Sequence, residues 1–263
     1  MTDLMKQPDT QNVSGNKLTA ASIDPDEIAR FSAIAETWWD PNGKMGTLHK
    51  FNPVRIAYIR KQLVQHFGLD DTGMTPLSGL TVADVGCGGG LVCAPIARLG
   101  AQVTGVDAAE KNVKTATVHA EEQGLQIDYR HATAETLVNA GELFDVVLNL
   151  EVVEHVADLP GFMADCTRLV KPGGLMVAAT LNRTLKSLAL AKFGAEYVLR
   201  WLPIGTHDWR KFVKPSELSS FLRDGGMTMR DMTGVAYNPL ADTWSLSRDV
   251  SQNYLMVATK SAN

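Results

Sequence analysis

The sequence predicts an α/β fold: a mostly parallel seven-stranded sheet with helices on both faces, an N-terminal helical lid and an amphipathic insertion after the fifth strand. Three observations carry this prediction. From Leu80 onward, short apolar runs alternate with helical patterns, as right-handed strand–helix–strand units do. The runs "LTVADVG", "QVTGVD", "QIDYR", "FDVVLNL" and "GLMVAAT" have the length and apolar character of buried parallel strands. A glycine cluster, "VGCGGG", closes the first run, where a parallel strand turns into its helix.

The elements follow in order. Residues 1–22 are polar and carry acids, resembling neither a signal nor a transit peptide, and are expected to be a disordered tail. In "DPDEIARFSAIAETWWD", Asp24 is a candidate N-cap, Pro25 the first helical residue, and Pro41, Asn42 and Gly43 the stop. A second helix is expected from Pro53 to about Phe67, where apolar residues recur at helical spacing. Helices then follow the strands at Leu91–Leu99, Glu110–Gln123 and Leu159–Val170. The rhythm breaks after Thr180 and resumes with a helix at "KPSELSSFLRDGG" and strands at "MTMRDMTG" and "NYLMVATK". The chain thus divides into a tail and one domain, 23–263, made of N-terminal helices (23–79), a core (80–181), the insertion (182–214) and a C-terminal helix and strands (215–263).

With 263 residues, 45% of them hydrophobic, the chain can bury one large core. Its net charge of -4 argues against a general nucleic-acid binder. Cys87, Cys93 and Cys166 are an odd number without CxxC spacing, which suits a reduced cytoplasmic protein better than a disulfide scaffold. No uncharged apolar run is long enough to cross a bilayer.

Asp84, Gly86, Gly88 and Gly90 form a DxGxGxG arrangement at the carboxyl end of the first strand. Glycines there admit close backbone approach by a nucleoside-containing cofactor. The dinucleotide fingerprint needs glycine or alanine where Leu91 stands, so NAD is disfavoured. Asp107 closes the next strand, where a carboxylate can accept both ribose hydroxyls. The same residues are also readable as a tight turn followed by a helix N-cap.

In "NLEVVEHV", a helical turn beginning near Glu151 would put Glu151, Glu154 and His155 on one face. Two carboxylates and an imidazole suit Mg²⁺ or Mn²⁺ better than structural zinc. A helix N-terminus favoured by acids, with His155 as a hydrogen-bonded core residue, is the other reading.

The strings "RFSAIAETWWDPNGKMGTLHKFNPVRIAYI", "DVGCGGG", "EVVEHV", "VKPGG", "TLNRTLKS", "GAEYVLRWLPIGTHDW" and "KFVKPSEL" together resemble the ubiquinone-biosynthesis O-methyltransferase family from about Asp24 to Lys260. The resemblance implies a class I, Rossmann-like methyltransferase that uses S-adenosyl-L-methionine. It implies O-methylation of a polyprenylated catechol or quinol, such as 2-polyprenyl-6-hydroxyphenol or 3-demethylubiquinol. By position, Arg55, Gly86, Asp107 and Leu150 match the family's cofactor contacts, and Asp84, Gly88 and Gly90 complete the loop. Glu151, Glu154 and His155 match its ligands for a divalent metal (Mg²⁺, or Mn²⁺ or Zn²⁺), which would favour the phenolate; His155 as general base is the alternative. A multi-enzyme ubiquinone-synthesis assembly is also implied. A metal-independent methyltransferase of another small molecule and a noncatalytic S-adenosylmethionine-binding module are the competing readings.

Residues 182–214 carry seven cations against two acids, with Lys192, Glu196 and Arg200 on one side of a helical wheel. A lipid substrate makes peripheral attachment to the inner face of the cytoplasmic membrane the expectation, rather than a helix that merely covers the core.

Overall fold

The computed structural model describes residues 20–189 and 208–262. Its sheet has eight strands in the order β3-β2-β1-β4-β5-β8-β6-β7. Strands β1 (Thr81–Val85), β2 (Gln102–Asp107), β3 (Asp128–His131), β4 (Phe144–Leu150) and β5 (Val170–Leu181) run parallel. The last three, β6 (Met227–Asn238), β7 (Thr243–Ser247) and β8 (Asn253–Lys260), are antiparallel, with β8 between β5 and β6. The strand order reverses at β1, whose neighbours are β2 and β4, so their carboxyl ends open the crevice where such sheets bind ligands. Seven strands match the expectation. The eighth, β7, pairs only with β6 at the sheet edge, and the half-exposed "TWSLS" carries little apolar signal.

Helix α1 (Pro25–Ile34) begins as expected: Asp24 accepts from the backbone N–H groups of Asp26 and Glu27 at 3.1 and 3.5 Å. It ends earlier than expected, followed by a 3₁₀ turn at Ala35–Thr37. Helix α2 spans Gly46–Phe67, so Pro53 lies inside it rather than at its start. The proline, having no N–H, leaves the His49 carbonyl without its donor one turn on, and Gly68 ends the helix in the left-handed conformation at φ 63°. Helices α3 (Cys93–Arg98), α4 (Glu110–Glu122) and α6 (Leu159–Arg168) follow the expected pattern. Helix α5 (Ala134–Asn139), a turn and a half capped by Thr133, is too short to show a periodic pattern in sequence. A single helical turn, α7 (Leu185–Ser187), precedes α8 (Pro215–Asp224).

Each face of the sheet is sealed by its own apolar layer. Leu137, Phe162, Met163, Cys166, Leu218 and Leu222 cover one face from α5, α6 and α8. Tyr58, Ile59, Leu63, Cys93 and Ile96 cover the other from α2 and α3. Ala35, Trp38, Met45 and Leu91 form a separate small cluster that lays the N-terminal segment over the carboxyl ends of the strands. All three cysteines are buried free thiols. No helix among the described residues is long and apolar enough to cross a membrane.

Candidate active site

The glycine loop after β1 is shaped by what a side chain would strike. Gly86, Gly88 and Gly90 have φ of 78°, 54° and 84°, the left-handed region that favours glycine. An added Cβ would lie 2.5 Å from Val152 Cγ2 at Gly86 and 2.5 Å from Trp38 Cη2 at Gly88. Asp107, at the end of β2, ties the loop down: Gly88 N–H donates to Oδ2 at 2.9 Å and Ala109 N–H to Oδ1 at 2.8 Å. Asp107 thus bonds the backbone on both sides of the crevice while also lining it, although the helix N-cap itself is Ala109. Behind the loop, the carboxyl of Asp84 is buried and pushed up to about 6 by that burial, against the lowering effects of the Cys93 thiol and Arg55.

The N-terminal helices reach this loop through specific polar contacts. Trp38 donates from Nε1 to Asn112 Oδ1 at 2.9 Å, and Trp39 donates to the carbonyl of Gly89 at 2.8 Å while stacking on His119. From α2, Asn52 donates to the Leu91 carbonyl at 2.6 Å and accepts from Arg55 Nε and Nη2 at 3.1 and 2.6 Å. The Arg55 guanidinium, 3% exposed, lies 5.0 Å over the Phe51 ring. Burial lowers its affinity for a proton, while Glu151 and Asp84 act the other way.

The stretch after β4 departs from an α-helical start. Glu151 sits at φ 59°, left-handed for a residue with a side chain, a conformation costing roughly 1–3 kcal/mol and concentrated at functional sites. Its N–H still donates to the Ala179 carbonyl at 2.8 Å, continuing the β4–β5 pairing by one residue. The helical turn that follows is 3₁₀ and spans Val153–His155. Glu154 is buried and accepts from the Thr180 hydroxyl at 2.8 Å. Burial and then the Glu154 charge push the Glu151 carboxyl up to about 8. The His155 ring turns the other way, placing Nδ1 3.1 Å from Glu27 Oε2 on α1. Burial opposes its protonation, but the Glu27 bond and the charges of Glu154 and Glu151 outweigh it and raise the imidazole above its ordinary value.

A cavity of about 730 Å³ joins these parts. Its lining includes Gly86, Gly88, Asp107 and Leu150 together with Glu151, Glu154 and His155. Ile28, Phe31, Ile34, Met45 and Leu48 of the N-terminal segment and Trp244 of β7 add apolar lining.

A methyltransferase-domain family model matches residues 83–178, from β1 to β5. The ubiquinone biosynthesis O-methyltransferase of Maricaulis maris is 58% identical over 254 residues, covering 96% of this chain and 99% of that protein. The Parvibaculum lavamentivorans protein of the same name is 57% identical, covering 93% and 97%. The chain belongs to the ubiquinone biosynthesis O-methyltransferase family. Its fold is that of class I S-adenosylmethionine-dependent methyltransferases: the magnesium protoporphyrin IX methyltransferase of Synechocystis with bound S-adenosylhomocysteine superposes with a TM-score of 0.60 at 22% identity, over 90% of this chain and 94% of that one.

In this member of the family, Arg55, Asp84, Gly86, Gly88, Asp107, Leu150, Glu151, Glu154 and His155 all line one cavity. Gly90 does not; it packs beneath the loop against Tyr129 and Ala116. The expectation of one α-helical face carrying Glu151, Glu154 and His155 needs correction. The turn is 3₁₀, Glu151 precedes it in a left-handed conformation, and Glu154 and His155 bond to Thr180 and Glu27 respectively. Among the described residues no three of His, Cys, Asp and Glu gather to hold a metal ion. The described geometry thus gives no support of its own for Mg²⁺, Mn²⁺ or Zn²⁺ at these residues.

Glu27, Trp38, Asn52 and Asn112 join the site without having been expected there. In sequence, only the WW-D and NP-x-R strings signal part of this group, and neither string names its partners. Asp107→Asn is expected to weaken S-adenosylmethionine binding about tenfold, because an amide replaces one charged acceptor of the loop with a donor. Isothermal titration of the variant and native proteins checks this, and equal affinities would leave Asp107 with the helix alone.

Proposed function

We propose that the protein transfers a methyl group from S-adenosylmethionine to a catechol-type hydroxyl of a polyprenylated ubiquinone precursor, 2-polyprenyl-6-hydroxyphenol or 3-demethylubiquinol. The observation that carries this reading is that one cavity is lined by the glycine loop, by His155 and by apolar residues of the N-terminal segment. That shared lining supports a reading in which cofactor, acceptor hydroxyl and prenyl chain occupy one cavity. The names of the relatives supply the pathway.

S-adenosylmethionine, when bound, supplies an electrophilic methyl group on a sulfonium. The chain's own residues do the rest. Gly86 and Gly88 let the backbone approach the cofactor, and a Cβ at either would meet Val152 or Trp38 instead. Asp107 is suited to the ribose hydroxyls and Arg55, held by Asn52, to the methionine carboxylate through its planar fork. A phenol of pKa near 10 is a weak nucleophile at neutral pH. His155, with Nδ1 bonded to Glu27, has Nε2 as its basic nitrogen and takes the acceptor's hydroxyl proton there. Its raised pKa narrows the gap to the phenol's. The acceptor oxygen then forms the new bond to the methyl carbon as the carbon–sulfur bond breaks, and the proton leaves from the imidazole to solvent.

Transfer of labelled methyl to a short-chain prenylated catechol, with Mg²⁺ and then with excess EDTA, tests this reading. Product in both conditions supports proton transfer by side chains. Activity that vanishes with chelator and returns with metal would move that role from His155 to an ion. No product from any catechol, with cofactor binding intact, would leave a noncatalytic binding module.

The reading extends to peripheral membrane attachment through residues 182–214, of which 190–207 lie outside the described residues. Its support is the local excess of cations and the lipid nature of the acceptor. Failure of the full-length protein to sediment with anionic liposomes at low salt would end it.

A further inference from the structure

Strand β6 outruns the strand beside it. Its pairing with β8 reaches Thr233 opposite Leu255, and β8 itself starts at Asn253, whose side chain accepts from the Val235 N–H at 2.8 Å. From there β6 continues to Asn238 with β7 as its partner, Gly234 to Asn238 lying against Ser247 to Thr243. Because β6 runs in the same direction as β5, this extension projects past the carboxyl end of the sheet, and Tyr237, Pro239 and Trp244 from it line the cavity. A two-stranded ribbon is marginally stable alone, so side-chain contacts must hold it in place.

Those contacts converge on Asp242 and Trp244. The Asp242 carboxylate accepts from the Tyr237 hydroxyl at 2.7 Å and, through its other oxygen, from Lys50 of α2 at 2.7 Å, which ties the hairpin to the helix. It does so from φ 49°, a left-handed position where Asp and Asn are found more often than other residues with a side chain. Tyr237 and Trp244 are directly opposed in register, with ring centroids 5.1 Å apart. Trp244 meets the Phe51 ring at 5.3 Å, and Phe51 carries the Arg55 guanidinium at 5.0 Å. An unbroken run of contacts therefore joins Arg55, through Phe51, to the hairpin. A ribbon that only covered α2 would sink its aromatic pair into that helix, whereas Tyr237 and Trp244 stay half-buried and line the cavity.

We propose that the Tyr237–Trp244 pair, continued by Phe51, is the subsite for the hydrocarbon chain of the methyl acceptor, and that Asp242 is a positioning residue that holds this pair against α2. The inference rests on the reading of the acceptor as a prenylated phenol and names the residues that select for its chain. The acceptor's hydroxyl must reach a methyl group beside the glycine loop of β1, and β6 lies four strand pairings away from β1, about 19 Å at about 4.8 Å per pairing. A ring held at the methyl group does not also cover Tyr237; a chain attached to that ring does.

The experiment compares a catechol without a chain and the same catechol with a chain of three isoprene units, in the full-length protein. It reads kcat/KM for methyl transfer and, with S-adenosylhomocysteine bound, calorimetric affinity for each catechol. Trp244→Ala is expected to cut the chain's contribution, the ratio of the two catechols in either measurement, about tenfold, as loss of a large apolar contact does. Asp242→Gly, which keeps the left-handed backbone without the carboxylate, should cut it about fivefold. Asp242→Asn, whose amide can still bond both Lys50 and Tyr237, should hold the ratio within about twofold of native. Affinity for S-adenosylhomocysteine, equal in native and variant proteins, reports that the fold is intact. A Trp244→Ala loss of equal size for both catechols would put the acceptor ring on the hairpin instead of the chain, and a native ratio would reduce the hairpin to a cover for α2. Equal ratios in Asp242→Gly and Asp242→Asn would remove Asp242 from positioning. Absence of methyl transfer in the native protein would overturn the proposed reaction, and the calorimetric ratio would still decide the subsite.

Discussion

His155→Ala is expected to lower kcat about 10²- to 10⁴-fold, the range that a positioned general base contributes, while the dissociation constant for S-adenosylmethionine changes less than about threefold. The split follows from placement. His155 lines the cavity with its ring against Glu27 and Phe31, whereas the residues proposed to cradle the cofactor are Gly86, Gly88, Asp107 and the Asn52–Arg55 pair. Removing the imidazole leaves every one of those loop contacts in place. The loss therefore belongs to the step in which the acceptor sheds its proton, and single-turnover methyl transfer under saturating cofactor should show it undiminished. A substrate analogue already ionised at the reacting hydroxyl should recover part of the rate in the variant. A parallel loss of cofactor affinity would make His155 a binding residue, and a native rate would remove it from the chemistry.

How far the sequence reveals this site depends on whether the deciding contact is local. The strands "FDVVLNL" and "GLMVAAT" are legible because a strand covered on both faces must be apolar along its length. The edge strand "TWSLS" is under no such constraint and leaves no comparable mark. Pro53 reads as a first-turn residue and so misplaces the start of α2, yet packing of Phe51 and Tyr58 carries the helix through it. The glycines of the loop and Asp107 are legible as one unit, since turn geometry and strand-end position are both written in adjacent residues. "EVVEHV" misleads for the opposite reason. Its residues suit a helix start, but Glu151 N–H is claimed by Ala179 across the sheet, which holds the strand one residue longer and forces the left-handed turn. Glu27 shows the same limit: an acid in a first turn signals its helix, and nothing local signals His155.

The Glu151 carboxyl is expected to make cofactor binding itself pH-dependent. Burial, and then the charge of Glu154, raise it from the ordinary 4.5 to about 8, so at neutral pH it holds a proton that the unfolded chain would have released. Stability accordingly falls as pH rises from about 4.5 to about 8 and levels off beyond, because the unfolded chain binds fewer protons than the native one throughout that window. Glu151→Gln has no such proton to lose, so its melting temperature relative to native should climb across the same range and not below it. A sulfonium entering the cavity shifts the balance the other way, since a nearby positive charge favours ionised Glu151. Binding of S-adenosylmethionine should then expel a proton, and its affinity should rise with pH by up to about tenfold per unit until the carboxyl is ionised near 8. S-adenosylhomocysteine, neutral at sulfur, should show a much flatter dependence, and Glu151→Gln should flatten the first to match the second. Isothermal titration in buffers of different ionisation enthalpy reads the proton release directly. Equal pH slopes for the two ligands in the native protein would place the sulfonium beyond the reach of Glu151, and with it the reacting methyl away from the acid cluster.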